Sequence, residues 1–408
     1  MNNVFTFGCR LNFWESEKIN FFLNENKNYN MTVFNTCSVT NEAVKNIITN
    51  IKKFHARNPE VKIAVTGCAI ETNFELFKNM KEVSYIIKNN RKLDKAVWAI
   101  PSDKIANKSL HKKDLLILEK INPSNSNVRK FIRIQNGCNH SCTFCIIPTC
   151  RGKSVSDDIK TIKNNIEASL KNNIKEIILT GVDLTSWGTD LFKNISLGDL
   201  IEEIFSNNSF DFRLRLSSLD AAELDQKFFE ILKKENRLMP HFHFSLQSLN
   251  NMILKRMKRR HSVEQVKHLF KKIRSILPNV TFGADIITGF PTENEKMFLE
   301  TKQTIETLEI SHLHVFPYSE KEGTPASRMP QVPTQIRRER ARKLREIGKK
   351  IYCKLLKNQT LHKHRVLIES DKGIGKTENN FKVKLRNAKK GEIIEIVPRG
   401  IEKNYLIA

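Results

Sequence analysis

The feature that most constrains this chain is a group of three cysteines within eight residues. Cys138, Cys142 and Cys145 are spaced C-x3-C-x2-C inside FIRIQNGCNHSCTFCIIP. A 4Fe–4S cluster is normally held by four cysteine thiolates. Three thiolates leave one iron with an open coordination position, and an open position separates a reactive metal centre from a closed structural one. The spacing therefore predicts a reactive iron–sulfur cluster.

A zinc site is the alternative reading of the same cysteines. Zinc usually takes four ligands, in C-x2-C pairs followed by a second pair or by histidines. Cys150 could supply a fourth thiolate, and His140 lies inside the motif. The spacing is not the usual one for zinc, so we favour iron–sulfur. We interpret Cys150 and Cys353 as ordinary cysteines, because free cysteine often packs as a small apolar residue.

The length and composition favour a chain of two to three globular domains. The chain has 408 residues, of which 39% are hydrophobic and 28% are charged. No apolar run approaches the ~20 residues that span a bilayer, and the N-terminus shows no secretory pattern. We therefore expect a cytoplasmic protein. In that setting the eight cysteines indicate metal or redox chemistry rather than disulfides.

The formal net charge is +25, from 69 Lys and Arg against 44 Asp and Glu. A surplus of this size favours a polyanionic partner, most simply a nucleic acid. The alternative is a lysine-rich composition without any such partner. Clustering supports a partner, because residues 331–365 hold twelve basic residues and two Glu. The candidate contacts are Lys255, Arg256, Lys258, Arg259, Arg260, Arg337, Arg338, Arg342 and Lys343.

The first hundred residues alternate short β-rich runs with helical patterns, which predicts a parallel α/β sheet. The predicted strands are 4–9, 31–37, 61–68 and 83–90. Cys9, Cys37 and Cys68 each end one of these strands. Ligands bind in the crevice at the carboxyl ends of the strands of such a sheet. We infer a second three-cysteine iron–sulfur site there, with three simply buried cysteines as the alternative.

A second series of strands and helices predicts a partial (β/α)6 barrel. Its candidate strands are 131–138, 176–182, 211–219, 241–248, 281–290 and 311–319. Chemistry in such barrels collects at the C-terminal ends of the strands, and the first cysteine triad begins at the end of the first one.

The C-terminal part predicts a helix followed by short strands. Residues 334–358 form a basic amphipathic pattern whose apolar stripe is Ile336, Leu344, Ile347, Ile351 and Leu355. The alternating runs after it predict a small β-barrel. The predicted organisation is an N-terminal domain at 1–105, a linker at 106–127, a core at 128–355 and a terminal β-barrel at 356–408.

Taken together in order, several motifs carry a family resemblance. They are TFGCRLNFWESE (6–17), NTCSVTNEAV (35–44), VTGCA (65–69), NGCNHSCTFCIIP (136–148), LTGVDLTSWG (179–188), LRLSSLD (214–220), HFHFSLQS (241–248), LKRMKRRH (254–261), GADIITGFP (283–291) and HVFPYSEKEGTPA (314–326). The chain resembles the methylthiotransferase family of radical S-adenosylmethionine (SAM) enzymes over nearly its full length. The resemblance implies a Rossmann-like N-terminal domain, a partial (β/α)6 radical SAM barrel and a TRAM-like C-terminal β-barrel.

The resemblance also implies roles for particular residues. Cys138, Cys142 and Cys145 would hold the 4Fe–4S cluster that binds SAM, and Cys9, Cys37 and Cys68 would hold a second 4Fe–4S cluster. The resemblance further implies SAM contacts at Phe144, Thr180, Gly181, Val182, Ser217, Ser218, Gln247 and Gly289. Packing alone is the alternative explanation for these residues. We interpret His241 and His243 as core or supporting residues, and Asp183 as a substrate contact or a helix cap.

The implied reaction is radical methylthiolation of C2 of N6-threonylcarbamoyladenosine at position 37 of tRNA. It requires the tRNA anticodon stem-loop, a flavodoxin- or ferredoxin-type electron donor and a sulfur source. Related branches act on isopentenyladenosine in tRNA or on a ribosomal-protein aspartate. The remote alternative is a noncatalytic iron–sulfur RNA-binding protein. The chain departs from the family pattern at Thr292, where glycine is common, and in its short tail.

Overall fold

The computed structural model describes residues 3–25, 30–99, 105–106, 128–191, 195–206 and 210–408. The chain divides into two compact units. Besides the N-terminal part, the first unit includes residues 136–140 and 145–155, and the second holds the described remainder. The predicted linker at 106–127 lies outside the described residues except for Ala106. The four predicted domain limits stay a prediction.

The first unit is built on a five-stranded sheet in the order β1-β2-β3-β4-β5, with every pair parallel. The strands are β1 Asn3–Thr6, β2 Met31–Thr36, β3 Lys62–Gly67, β4 Tyr85–Ile87 and β5 Ile105–Ala106. The helices are α1 Arg10–Glu25, α2 Asn41–Arg57, α3 Cys68–Thr72, α4 Phe74–Lys78, α5 Lys95–Ala99 and α6 Ile147–Arg151. The predicted alternation of strands and helices is confirmed.

Both faces of this sheet are buried, because successive strand residues point to opposite sides. Phe34 packs on one face with Ile47 and Phe77. Its neighbour Val33 packs on the other face with Phe22 and Trp98. Strands covered on both faces read as continuous apolar runs, which is why these segments could be identified from the sequence.

The second unit contains the strands of the predicted barrel. They are β6 Arg129–Arg133, β9 Glu176–Thr180, β10 Arg213–Leu216, β11 Ser218–Leu219, β12 His241–Gln247, β13 Thr281–Thr288 and β14 His312–Pro317. The pairing runs β10-β9-β6 in one sheet and β11-β12-β13-β14 in another, all parallel. The third predicted strand is thus interrupted at Ser217, and each of the six predicted strands is present.

Helices cover the outer side of these strands. They are α7 Ile159–Lys171, α8 Leu197–Ser206, α9 Gln226–Lys234, α10 Asn251–Arg256, α11 Val263–Ile276, α12 Glu295–Thr307 and α13 Thr334–Lys357. Short 3-10 helices cover Leu184–Ser186 and Pro325–Arg328, and two-residue strands β7 and β8 cover Gln135–Asn136 and Val155–Ser156. Aromatic residues fill the layer between strands and helices, where the rings of Phe270 and Phe282 stack at 3.9 Å between centroids.

The predicted basic helix is α13, and most of its apolar stripe is buried. Leu344, Ile347 and Ile351 belong to the core of the second unit, and Leu355 packs against it. Ile336, at the start of the same stripe, is 38% exposed.

The C-terminal segment forms a six-stranded sheet in the order β18-β15-β16-β17-β20-β19. Its strands are β15 His364–Ile368, β16 Ile374–Thr377, β17 Lys382–Lys384, β18 Ile393–Ile396, β19 Gly400–Glu402 and β20 Tyr405–Ile407. All pairs are antiparallel except β17 with β20. The predicted α/β fold with a strand-rich C-terminal region is confirmed.

Buried polar contacts join this C-terminal sheet to the barrel strands. Arg213 and Arg215 donate to the carbonyl of Thr377 at 2.8 and 2.9 Å. Both guanidinium groups also pair with the carboxylate of Glu176, at 3.0 and 2.8 Å. Thr281 at the start of β13 donates to the carbonyl of Asn379 at 2.7 Å. The amino-terminal ends of these strands are therefore tied to the C-terminal sheet.

Within the described ranges, no helix combines the length and the apolar character that are needed to cross a bilayer.

The stacked ring of Phe282 allows a test of this core. We expect Phe282→Ala to lower the free energy of unfolding by about 3–5 kcal/mol, because it removes a fully buried ring and leaves a cavity. Urea unfolding followed by circular dichroism measures the change. Leu299→Ala is the control, because Leu299 is exposed and its loss should cost little. Equal midpoints for the two variants would contradict this account of the core.

Candidate iron–sulfur centres

The structure places Cys9, Cys37 and Cys68 at one edge of the N-terminal sheet. Cys37 follows β2 directly, Cys68 is the residue after β3, and Cys9 lies three residues beyond β1. The three strands are neighbours and parallel. Gly8 has a φ of +101° and touches Cys37, since a Cβ atom at Gly8 would lie 2.8 Å from the Cys37 sulfur. Glycine therefore lets the first loop approach the second cysteine.

The thiols of this group influence one another electrostatically. Burial, together with the charges of the neighbouring Cys68 and Cys9, raises the pKa of Cys37 to about 11. A hydrogen bond with Cys150 lowers the pKa of Cys68 to about 6, and the charge of Arg151 acts in the same direction. Like charges at one place disfavour ionisation unless a cation joins them. The three converging thiols can therefore serve together as ligands of one cationic metal centre.

A buried ion network lies beside these thiols. Arg151 donates to both carboxylate oxygens of Glu15 at 2.9 and 3.2 Å, and Lys92 donates to the same carboxylate at 2.5 Å. The three side chains are 1–2% exposed. Burial would raise the pKa of Glu15, but Arg151 and Lys92 lower it to about 2. With two cations and one anion, the network has a net charge of +1, which complements anionic thiolates.

Amide side chains connect this network to the cysteine loops. Asn12 accepts from Arg151 at 2.6 Å and donates to the carbonyls of Phe7 and Thr36, at 2.7 and 3.0 Å. The loops that end β1 and β2 are thus held by one side chain.

Nothing in the sequence indicates that Glu15, in the motif ESE of α1, takes part in a buried ion network, because a helical Glu usually lies on a solvated face. Arg151 was likewise missed, although it closes the motif CIIPTCR.

Cys150 lies beside the second cysteine group. Its sulfur is 3.6 Å from the carbonyl oxygen of Cys68 and 3.7 Å from the hydroxyl of Ser38. Asn89 donates to the Cys150 carbonyl at 2.7 Å. The thiol is buried, whereas Cys353 is exposed on α13. Cys150 is therefore a packed neighbour of Cys68.

Two cysteines of the C-x3-C-x2-C motif belong to the first unit. The backbone amide of His140 donates to the Cys138 sulfur, and that of Ile147 donates to the Cys145 sulfur, both at 3.4 Å. The amide of Cys138 donates to the carbonyl of Gly152 at 3.1 Å. Amide donors to sulfur stabilise thiolates and tune iron–sulfur centres.

Cys142 and Phe144 belong to the second unit, where the chain between them is firmly held. Thr143 donates through its amide to the Met257 carbonyl at 3.1 Å and through its hydroxyl to the Arg256 carbonyl at 2.8 Å. The Phe144 ring packs edge-on against Phe290 at 6.3 Å. Its expected contact with SAM stays a prediction.

Arg259 corrects the predicted nucleic-acid surface. Its guanidinium pairs with Asp220 at 2.8 Å, donates to the carbonyl of Ser245 at 2.8 Å and reaches the Cys142 sulfur at 3.5 Å. The side chain is 8% exposed. It is therefore not available to a phosphate backbone, and it faces a cysteine of the motif instead.

Arg337 is a second correction. Its three guanidinium nitrogens donate to the carbonyls of Val332 and Tyr318 and to the side chain of Gln331. The residue is buried, so α13 does not present it to RNA. Of the remaining candidates, Arg256 donates to Thr292 at 2.7 Å and Arg260 pairs with Glu223. Arg260 is exposed despite this pair, as are Lys255, Lys258, Arg338 and Arg342, whereas Lys343 is half-buried.

The expected SAM contacts lie at the carboxyl ends of barrel strands. Thr180 ends β9, and Ser217 stands between β10 and β11. Both are buried, and among the residues that the structure describes neither hydroxyl has a hydrogen-bond partner. An unpaired buried polar atom is costly, so these hydroxyls fit a polar ligand at this end of the barrel. Gly181, Val182, Ser218 and Gln247 lie at the same strand ends.

The turn after β9 is organised by Gln135. Its side-chain oxygen accepts from the amides of Val182 and Asp183 at 3.0 and 2.9 Å. Gln247 has a φ of +65°, at a register shift in the pairing of β12 with β13. These two features fix the backbone where the predicted SAM contacts cluster.

Gly289 and Thr292 follow β13 in left-handed conformations, with φ of +64° and +71°. A Cβ atom at Gly289 would lie 2.5 Å from the Arg337 side chain, so packing also requires a glycine here, and its contact with SAM stays a prediction. A β-branched residue at such a φ is strained. The usual glycine of the family would avoid that strain at position 292. Here the Thr292 hydroxyl instead accepts from Arg256.

Comparisons with known proteins show the family of the chain. Residues 132–305 match the model of the radical SAM superfamily, and residues 2–88 match "Uncharacterized protein family UPF0004". The chain is 43% identical over 404 residues to "Threonylcarbamoyladenosine tRNA methylthiotransferase MtaB" of Rickettsia prowazekii, covering 99% of this chain and 96% of that protein. The chain belongs to the methylthiotransferase family of radical SAM enzymes.

Other relatives place the chain within this family. The Aquifex aeolicus protein of the same name is 30% identical, with 96% of this chain and 98% of that protein covered. "tRNA-2-methylthio-N(6)-dimethylallyladenosine synthase" of Clostridium botulinum is also 30% identical, with 92% and 86% covered. The radical SAM methyltransferase TsrM of Kitasatospora setae shares the fold, with a TM-score of 0.53, 11% identity and coverage of 78% and 67%.

Family membership makes the protein an enzyme whose cofactors are SAM and two 4Fe–4S clusters. The donor sets described above suit them. In the first unit, three thiols lie beside a net positive buried network, and the sulfurs of Cys138 and Cys145 accept from backbone amides. In the second unit, the Cys142 sulfur faces the Arg259 guanidinium. The unpaired hydroxyls of Thr180 and Ser217 suit the polar groups of SAM.

The ion network predicts a selective loss of iron. We expect Arg151→Met, after anaerobic reconstitution, to hold about four irons per chain where the wild type holds about eight, because each cluster contributes four. The substitution removes the net positive charge beside Cys68 and leaves Glu15 with Lys92 alone. Iron and sulfide analysis measures the loss.

Arg338→Met is the matched control, because Arg338 is exposed on α13 and its loss should leave the iron content unchanged. Arg151→Lys keeps the charge without the two-pronged contact, and we expect it to retain part of the iron. Full iron content in Arg151→Met would show that the network does not support a cluster.

Proposed function

We propose that this protein methylthiolates C2 of N6-threonylcarbamoyladenosine at position 37 of tRNA. The observation that carries the proposal is the 43% identity, over 99% of the chain, to the Rickettsia prowazekii protein named for this activity. The two separate three-cysteine sets support it, because a methylthiotransferase needs one centre to activate the carbon and another to deliver sulfur.

In this proposal each cysteine triad has its own task. Cys138, Cys142 and Cys145 hold the cluster that binds SAM, and Cys9, Cys37 and Cys68 hold the second cluster. When bound, these cofactors supply the radical that removes the non-acidic hydrogen from adenine C2 and the sulfur that replaces it. An acid–base pair alone cannot activate such a C–H bond, so a protein scaffold for cofactors is what the reaction requires.

The residues of the chain itself bind and orient the reactants. Arg259 holds the Cys142 sulfur in a fixed position and is itself fixed by Asp220. Thr180 and Ser217 offer hydroxyls to SAM at the carboxyl ends of the strands. Phe144, Gly181, Val182, Ser218, Gln247 and Gly289 remain proposed SAM contacts. The target base must leave its stack to reach these groups, as in other enzymes that modify bases.

The tRNA would be held by the exposed basic residues. Lys255, Lys258 and Arg260 lie exposed at and after the end of α10. Arg338 and Arg342 are exposed on α13, where Lys343 is half-buried. Contacts from Lys and Arg to phosphates give affinity without sequence specificity. A flavodoxin- or ferredoxin-type donor and a sulfur source complete the proposed system, which we place in the cytoplasm.

Isopentenyladenosine is the second candidate substrate. The Clostridium botulinum relative, named as a dimethylallyladenosine synthase, is 30% identical over 393 residues. The lower identity makes it the weaker candidate.

Mass spectrometry of tRNA nucleosides tests the proposal. We expect a strain that lacks the gene to lose 2-methylthio-N6-threonylcarbamoyladenosine and to accumulate its unmethylthiolated precursor. The wild-type gene should restore the nucleoside, whereas Cys142→Ala should not, because two thiolates cannot retain the SAM-binding cluster. Cys353→Ala is the matched control, because Cys353 is exposed on α13, and it should restore the nucleoside fully. An unchanged nucleoside profile in the deletion strain would exclude this function.

A further inference from the structure

The inner face of the barrel sheet carries a polar group that none of the roles above uses. His243, Asp285 and His314 lie on the adjacent parallel strands β12, β13 and β14. Asp285 pairs directly with His314 in the register of β13 and β14. Phe242 and Phe244, which flank His243, belong to the core under the helices. Because strand side chains alternate, His243 points to the opposite, inner face.

The three side chains form one hydrogen-bonded group. Asp285 Oδ1 lies 3.0 Å from His243 Nε2 and 3.2 Å from His314 Nδ1. The two imidazole rings face each other at 4.5 Å between centroids. Burial would raise the pKa of Asp285, but the two histidines hold it well below its usual range. A charged carboxylate flanked by two imidazoles therefore stands on the inner face of the sheet.

A comparison with the layer below shows that this group is open. One step toward the amino ends of the strands, His241 bonds to Thr281 at 2.7 Å and Thr281 bonds to Asn379. The ring of His312 packs against Tyr352 and Phe381. That lower layer is closed by its own contacts. In the upper layer the side chains of His243, Asp285 and His314 are 6%, 21% and 59% exposed.

The openness and the chemistry of the group point to a polar ligand. Asp285 can accept hydrogen bonds, and an imidazolium whose first N–H bonds to Asp285 can donate from its second ring nitrogen to an anion. An apolar dimethylallyl substituent would leave these groups desolvated without partners, which is costly. A threonylcarbamoyl substituent carries urea N–H groups, a hydroxyl and a carboxylate, and it offers a partner to each.

We propose that His243, Asp285 and His314 bind the threonyl end of the substituent on N6 of the target adenosine. Asp285 accepts from its N–H or O–H groups, and His243 holds Asp285 in place. His314, in the imidazolium form, donates from Nδ1 to Asp285 and from Nε2 to the carboxylate of the substituent. The assignment rests on the proposed function and adds to it the part of the enzyme that selects a polar over an apolar substituent.

The test uses reconstituted enzyme and anticodon stem-loops with three substituents. They are threonylcarbamoyl, its methyl ester, which lacks the charge, and glycylcarbamoyl, which lacks the hydroxyl. For the threonylcarbamoyl loop we expect His314→Phe and Asp285→Asn to raise KM about tenfold or more, as the loss of a hydrogen bond to a charged group implies. The change in kcat should be smaller, since neither side chain touches the reacting carbon.

The analogues separate the two contacts. His314→Phe should discriminate less between the acid and its methyl ester than the wild type does, and Asp285→Asn should discriminate less between the threonyl and glycyl loops. His268→Phe is the matched control, because His268 is exposed on α11 and should behave as wild type. Iron content and SAM cleavage without RNA should be unchanged in all variants, which shows that they fold and load their clusters.

Two results would overturn the assignment while leaving the proposed function intact. In one, the wild type modifies the threonylcarbamoyl loop, and both variants lower kcat/KM equally on all three loops. In the other, the wild type binds one zinc ion that His314→Phe loses, because two imidazoles and a carboxylate also form a zinc donor set. A wild type that modifies only a dimethylallyl loop would overturn the proposed function and the assignment together.

Discussion

The N-terminal site depends on the neutralisation of thiolate charge inside a buried part of the protein. Thiolates that converge at the edge of a parallel sheet repel one another, and burial adds to the cost of their charge. The ion network of Arg151, Lys92 and Glu15 provides two cations and one anion at the same place. Buried charges persist only when they are paired. The surplus cation of the network and the surplus anions of the cysteines therefore support each other.

The same network joins two parts of the sequence that look unrelated. Arg151 lies six residues after Cys145 in the first cysteine motif, yet it pairs with Glu15 from α1. Cys150, next to it, packs against Cys68. Cys150 and Arg151, which follow the C-x3-C-x2-C motif, thus lie beside the group formed by Cys9, Cys37 and Cys68. The segment 145–151 therefore contributes residues to both proposed cluster sites.

Much of this arrangement follows from the sequence. Cysteine spacing and strand periodicity point to both triads and to the succession of strands and helices along the chain, because covalent spacing and burial periodicity are local properties. The hydrogen-bond partners of an individual arginine, by contrast, come from residues that are distant in the sequence. Arg259 and Arg337 read as parts of a basic surface, but each meets carbonyl groups contributed by distant segments. Positive charge in a sequence does not show whether its partner is a phosphate of RNA, a carboxylate or a backbone carbonyl oxygen.

The conformation at Thr292 illustrates another such limit. A family pattern suggests glycine there, and only the backbone angle of +71° explains the preference. The hydrogen bond from Arg256 shows what the threonine contributes in return. Expectations about the tail were accurate in fold class but silent on its attachment. Strand patterns reveal that a segment forms a sheet, and they do not reveal which neighbours that sheet covers.

The contacts of Thr377 and Asn379 with the barrel strands make the C-terminal sheet an integral part of the second unit. A detachable RNA-binding module would leave its host intact when removed. Here the carbonyl of Thr377 satisfies two buried guanidinium groups, and that of Asn379 satisfies a buried hydroxyl. The sheet therefore covers the amino-terminal ends of the barrel strands, and a truncated enzyme would lose carbonyl acceptors for two buried guanidinium groups and a buried hydroxyl.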